Sequence, residues 1–170
     1  MRILVAGVGN ALRGDDGFGV FAVQALGRDP RLPQQARVIE SGIGGIHLVQ
    51  ELMAGYGALI VFDALDRAAA PGRLFLVEPE LPDVHALSER KRRDFFADVH
   101  YATPVRALTL AREIGVLPGL VRIIGCQPAD PNAFGTDLHA DVAAAIPAAV
   151  EMALEVIAGI LRPEPADAPP

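Results

Sequence analysis

The chain has no tryptophan, two tyrosines and only 5% aromatic residues. That scarcity removes the aromatic platform on which unpaired bases stack. It has one cysteine, Cys126, which excludes an internal disulfide framework and a cysteine-based zinc knuckle. Positive charge is in deficit: 15 Lys and Arg against 21 Asp and Glu leave a net charge of −6, so nucleic acid is not the expected partner. No G-x-S-x-G elbow is present, which disfavours a serine hydrolase. No run reaches the ~18–20 apolar residues expected of a membrane span. The opening ILVAGVGNAL is broken by Asn10, followed by Asp15-Asp16, and lacks a small-residue cleavage site. It reads as a buried strand rather than a signal peptide, and the expected location is the cytoplasm.

What is present suits a globular fold. The 170 residues are 51% hydrophobic, enough for one domain with a real core. Apolar runs at 2–6, 36–40, 58–63, 73–78 and 120–125 read as strands, most of them continuously apolar, as in strands covered on both faces. Helical stretches fall at 16–26, 45–54, 84–97, 104–114 and 141–161. This alternation predicts an α/β fold of three αβα layers. Only residues 64–72 separate the third and fourth strands, short of the dozen or so residues a parallel crossover needs. The fourth strand is therefore expected to be antiparallel in a mixed, mostly parallel five-stranded sheet. Thr103-Pro104 reads as a helix start, and Pro147 as a kink or break in the last helix. The run ERKRRD at 89–94 reads as a solvated helix face. The domain is expected to span 1–162, with 163–170 (PEPADAPP) a disordered proline-rich tail.

Chemistry concentrates in the first loop, Gly7-Val8-Gly9-Asn10-Ala11-Leu12-Arg13-Gly14-Asp15-Asp16-Gly17-Phe18-Gly19. A dinucleotide fingerprint needs a glycine where Leu12 stands, and Asp15-Asp16 would repel a pyrophosphate at the helix start. One aspartate is explained as a helix cap, Asp15, with Asp16 complementing the dipole. Two acids among three glycines ask for more. Asp63 ends the run ALIVFD, at the carboxyl edge where open α/β sheets bind ligands; the bland alternative is a turn-starting Asx residue. Asp66 follows it and could cap the loop. His100 precedes a helix whose start lies near the same edge. His47 and His85 read as surface histidines, and His139 as a loop residue. Asp16, Asp63 and His100 form a plausible open shell for a divalent metal, although their spacing is no short metal motif. Cys126 could be a nucleophile with His100 as base, but a buried, inert thiol is the simpler reading.

The loop resembles the signature of the maturation endopeptidases of nickel-iron hydrogenases, G-x-G-N-x-L-x-x-D-[DE]-G-x-G. Gly7, Gly9, Asn10, Leu12, Asp15, Asp16, Gly17 and Gly19 satisfy it in order. The resemblance continues through IVFDALD, with Asp63, and VHYATPVRAL, with His100. It implies a mixed five-stranded αβα fold of the phosphorylase/hydrolase-like kind. It also implies an endopeptidase that removes a C-terminal extension from a hydrogenase large-subunit precursor after nickel insertion. Asp16, Asp63 and His100 would be both the catalytic and the metal-contacting residues, with the nickel supplied by the substrate and no organic cofactor. The protein is expected to be a monomer that engages neither nucleic acid nor membrane. After the second strand Glu40-Ser41-Gly42-Ile43-Gly44-Gly45 replaces the D-G-G-T-like turn of many relatives, which bears on which hydrogenase is processed. Three other readings remain open here: a checkpoint protein that binds the loaded precursor without cutting it, a doubly wound nucleotide-binding domain, and a stand-alone nickel enzyme.

Overall fold

The computed structural model describes residues 1–43, 45–97 and 104–162. Its five strands are β1 (Ile3–Val8), β2 (Ala36–Gly42), β3 (Ala58–Ala64), β4 (Leu74–Val77) and β5 (Leu120–Cys126). They form one sheet in the order β2-β1-β3-β5-β4. β2, β1, β3 and β5 are mutually parallel, and β4 pairs antiparallel with β5 at the edge. The short connection after β3 thus has the consequence expected of it, because a chain with no room for a crossover must return alongside in the opposite sense.

The helices are α1 (Phe18–Gly27), α2 (Gly45–Leu52), α3 (Glu89–Ala97), α4 (Pro104–Glu113) and α5 (Ala140–Leu161). β1 is buried along its whole length, and β3 along all but its last residue, as their unbroken apolar sequences require. Strand alternation divides their side chains between two cores. Ile3, Val5, Ile60 and Phe62 pack with α1 and α5. Leu4, Ala6, Leu59 and Val61 pack with α2 and α4.

Four local expectations need correction. The first helix is preceded by a separate 3-10 turn, Gly14–Gly17, because the glycine-rich segment turns more tightly than an α-helix. The expected helix 84–97 is divided into a 3-10 turn, Val84–Ala86, and α3. α5 runs unbroken through Pro147, so neighbouring turns sustain the helix across the lost N–H. α5 is also long and apolar enough to cross a membrane by length and composition, although no such run stood out in the sequence. In this fold it lays Val142, Ala145, Ala149, Val150, Ala153 and Ile157 against the sheet. The ERKRRD run in α3 contains no buried residue, in keeping with a solvated face. The tail 163–170 lies outside the described residues.

Candidate active site at the carboxyl edge of the sheet

The parallel strands β1, β2, β3 and β5 deliver their carboxyl ends to one edge. The acidic loop leaves β1 there, Asp63 closes β3 there, and the loop that leads to α5 leaves β5 there. A register shift between Gly7 and Val8 marks a bulge in β1 just before the loop, a distortion that re-aims the chain beside a site.

Glycine lets the chain beyond β1 approach the strand ends closely. A Cβ on Gly19 would overlap the carbonyl oxygens of both Val8 and Phe62, and one on Gly9 would overlap the Asp16 carbonyl. Gly9 also has φ +126°, a conformation rare for other residues. The first turn of α1 therefore sits backbone to backbone on the ends of β1 and β3. Phe18 fills the space beneath, edge-on to Phe62 with ring centroids 6.5 Å apart.

The two aspartates of the loop have different tasks. Asp15 is 3% exposed. Its Oδ2 accepts the Ala129 N–H at 2.8 Å and its Oδ1 the His139 N–H at 2.7 Å. It does not cap the helix that follows it; both oxygens hold the distant loop after β5. Asp16 is half-buried, and its Oδ2 accepts the Asn10 N–H at 2.8 Å, fixing the loop around the carboxylate. Asp15→Ala would strip a charged acceptor from two N–H groups. It is expected to lower stability by about 3 kcal/mol, or roughly 6–12 °C in Tm. Thermal denaturation followed by circular dichroism checks this, and a shift below a degree or two would contradict the clamp.

Asp63 lies within β3, opposite Gly125 of β5, and is not a turn-starting Asx residue. It is 7% exposed. Burial, then the negative charge of Asp16, push its carboxyl up from 3.8 to about 8, against a small opposing pull from the Ala64 N–H. The Gly14–Gly17 turn that carries Asp16 packs against β3, near enough for the Asp16 charge to bear on Asp63. Asp63 is adjacent to Phe62, which faces α1, so by alternation it belongs to the α2 and α4 side of the sheet. His100 lies outside the described residues. Among those described, no three His, Cys, Asp or Glu side chains gather closely enough to hold a metal ion.

A raised carboxyl has a stability consequence with a definite sign. In metal-free protein the folded state keeps the Asp63 proton up to about pH 8, while the unfolded chain releases it near 3.8. Unfolding between those values releases a proton, so this group's contribution to stability falls as pH rises and levels off above about 8. Asp63→Asn removes that dependence. Its stabilisation over the parent is expected to grow between pH 5 and pH 8, by at most about 1.4 kcal/mol per pH unit. Paired urea titrations at the two pH values measure it; a difference that stays constant would refute the assignment.

Among the described residues the remaining candidates do not join the acid pair in a group that could hold a metal ion. His47 is exposed on α2. His85 is exposed and pairs with Glu113 at 2.8 Å. His139 is a loop residue, as expected, and it N-caps α5, its ring accepting the Asp141 N–H. Cys126 is fully buried at the end of β5, and burial with the Asp15 charge pushes its thiol up to about 11. A thiol so hard to ionise is inert. Asp66 does organise its loop, accepting the Ala68 N–H at 3.1 Å. Gln127, which sequence reasoning missed, holds the same loop from β5. It is 4% exposed, accepts from Arg67 and Ala69, and donates to Asp66. A polar residue between an apolar strand and Pro128 was the available signal.

Comparison with known proteins decides the family. The family model HycI, described as hydrogenase maturation protease, matches residues 20–156, and so rests on none of the glycine-rich acidic loop. The hydrogenase expression/formation protein HupD of Rhizobium leguminosarum bv. viciae is 37% identical over 99% of this chain and 83% of its own. The chain belongs to the hydrogenase maturation proteases. The hydrogenase 2 maturation protease of Escherichia coli is 30% identical over 100% of this chain and 96% of its own length. The solved structure of the Escherichia coli hydrogenase-maturating endopeptidase HybD superposes with a TM-score of 0.76 at 28% identity, covering 95% of this chain and 94% of that one. This maturation protease is thus an endopeptidase of mixed-sheet α/β fold. The nucleotide-binding reading finds no support: Leu12 occupies the glycine position, and both Asp15 oxygens are committed to backbone N–H groups.

Proposed function

We propose that this maturation protease removes the C-terminal extension of a nickel-iron hydrogenase large-subunit precursor after nickel insertion, and that Asp16, Asp63 and His100 contact the nickel carried by that substrate. The observation that carries this reading is the coupled pair Asp16–Asp63 at the carboxyl edge, one member buried and disfavoured as an anion. Two neighbouring carboxylates in low dielectric repel each other unless a cation compensates them. A precursor loaded with a divalent metal brings that cation; an empty one does not. The donors are carboxylate oxygens with an imidazole expected from His100, a ligand that suits nickel, and the set lacks the thiolates of a closed structural zinc site. Support for His100 is topological. α4 begins at Pro104, shortly after it, and leads into the parallel strand β5, so α4 starts at the carboxyl edge.

Within this reading Asp16 keeps one oxygen on the Asn10 N–H and leaves the other for the substrate. Substrate-borne nickel supplies a Lewis acid for the scissile carbonyl or its water. With the nickel charge beside it Asp63 would release its proton to solvent, and the ionised carboxylate would be available to take a proton from water.

The test is the intact mass of a nickel-loaded large-subunit precursor before and after incubation, with a nickel-free precursor alongside. Loss of one discrete C-terminal peptide from the loaded form alone is the expected result. Cleavage of both forms alike would overturn nickel recognition. Stable binding of the loaded form without any cleavage would favour the checkpoint role.

A further inference from the structure

We propose that the paired loops carrying Leu12-Arg13 and Phe134 are the seat on which the precursor's chain lies beside the scissile bond. The occupant is an extended segment that packs apolar side chains on Leu12 and Phe134 and offers an oxygen acceptor to Arg13. This rests on the protease reading above and adds to it where, and by what chemistry, the protein substrate is held.

Leu12 is 68% exposed and Phe134 85% exposed. Ile43, after β2, and Ile46, in the first turn of α2, are also exposed large apolar residues and border the same edge. Four of the eight exposed large apolar side chains among the described residues thus lie on segments at the carboxyl edge that carries the acid pair. Clustered exposure of this kind marks interaction surfaces, whereas scattered single residues do not.

The backbone beneath the seat is fixed. The Gly14 N–H donates to the Gly135 carbonyl at 2.7 Å, and the Gly135 N–H to the Leu12 carbonyl at 3.2 Å. Asn10 Oδ1 accepts the Leu12 N–H at 2.9 Å, and Asp15 clamps Ala129 and His139 on either side of Phe134. Large apolar side chains are therefore held in the open on an ordered frame, and covering them costs little further ordering.

Arg13 supplies the polar element. Its guanidinium lies 5.5 Å from the centre of the Phe134 ring. Its Nε is buried without a hydrogen-bond partner. Arg13 as a whole is only partly buried, and of an arginine's five donors those on the outer guanidinium nitrogens, not the covered Nε, are the ones an acceptor arriving with a ligand would meet. The occupant is the precursor because the seat is continuous with the acid pair: Leu12 and Arg13 lie on the same loop as Asp16. A peptide substrate that places its bond at Asp16 and Asp63 has these residues beside it on the same loop.

The experiment compares the parent with Leu12→Ser/Phe134→Ser, Arg13→Gln and Met53→Ser in cleavage of the nickel-loaded precursor. Met53 is 67% exposed beyond the end of α2 and serves as the control for lost apolar surface. The seat variants are expected to raise KM by about tenfold or more with kcat within about twofold, the pattern of lost substrate binding. Met53→Ser should leave both unchanged, and all variants should melt like the parent. The same substitutions placed in Asp16→Asn should weaken binding of the loaded precursor by a similar factor. Unchanged KM and binding in the seat variants, or an equal loss in Met53→Ser, overturns the seat while the protease reading stands. A parent protein that neither binds nor cleaves the loaded precursor overturns both.

Discussion

Asp16→Asn is expected to slow precursor cleavage by about 10²–10⁴-fold while leaving the melting temperature within a few degrees of the parent. The substitution is nearly isosteric. The asparagine keeps a carbonyl oxygen for the Asn10 N–H that Asp16 accepts at 2.8 Å, so the loop retains its frame. What is lost is the charge. Asp63 would then sit beside a neutral amide instead of an anion, and the pair could no longer compensate a divalent cation. His100→Ala is expected to give a comparable loss by removing the imidazole donor. Single-turnover cleavage followed by intact mass, with a melting curve for each variant, separates lost chemistry from lost fold. Near-parental cleavage by either variant would strike that residue from the site. A large fall in melting temperature would instead show that the residue holds the loop together.

Gly19→Ala should be among the most destabilising single substitutions in the chain. Its new methyl would meet the carbonyl oxygens of Val8 and Phe62, and neither can rotate aside because both belong to hydrogen-bonded strands of the central sheet. α1 would have to lift from β1 and β3, opening the packing of Phe18 on Phe62. The expected cost is at least about 4 kcal/mol, a large share of the 5–15 kcal/mol that typically holds a domain together. Gly159→Ala provides the comparison. Gly159 lies in α5 with open space around its Cβ position, so alanine there should stabilise by about 0.5–1 kcal/mol through helix propensity. Urea denaturation of the two variants beside the parent makes the measurement. A Gly19→Ala protein as stable as the parent would mean that α1 does not rest on the strand ends.

The two expectations depend on different amounts of folded structure. That the first loop carried chemistry was legible from its own residues, because two acids among glycines exceed what a helix cap requires. That Asp63 stood at the end of a buried strand was legible from ALIVFD. Their meeting was legible only through the inference that both strands run parallel. By contrast, Asp15 had a sufficient local explanation as a cap, and that explanation was wrong. Its partners, Ala129 and His139, lie far along the chain, and no local pattern announces them. Gln127 escaped for the same reason, since its hydrogen bonds run back to the loop after β3.

By itself the sequence determined the class of the protein. Unbroken apolar runs required strands covered on both faces, the short third connection required an antiparallel edge strand, and the order of glycines and acids carried the resemblance to the maturation endopeptidases. These are properties of neighbouring residues, governed by periodicity, steric allowance and connection length. Only the tertiary structure decided which acid of the pair is structural and which bears on Asp63 by its charge. It also decided that burial and the Asp16 charge push the Asp63 carboxyl up to about 8, and that the loops of Leu12-Arg13 and Phe134 are joined by backbone hydrogen bonds. Burial and charge coupling arise from groups that meet across long stretches of chain, so they exist only once the sheet has brought its carboxyl ends together.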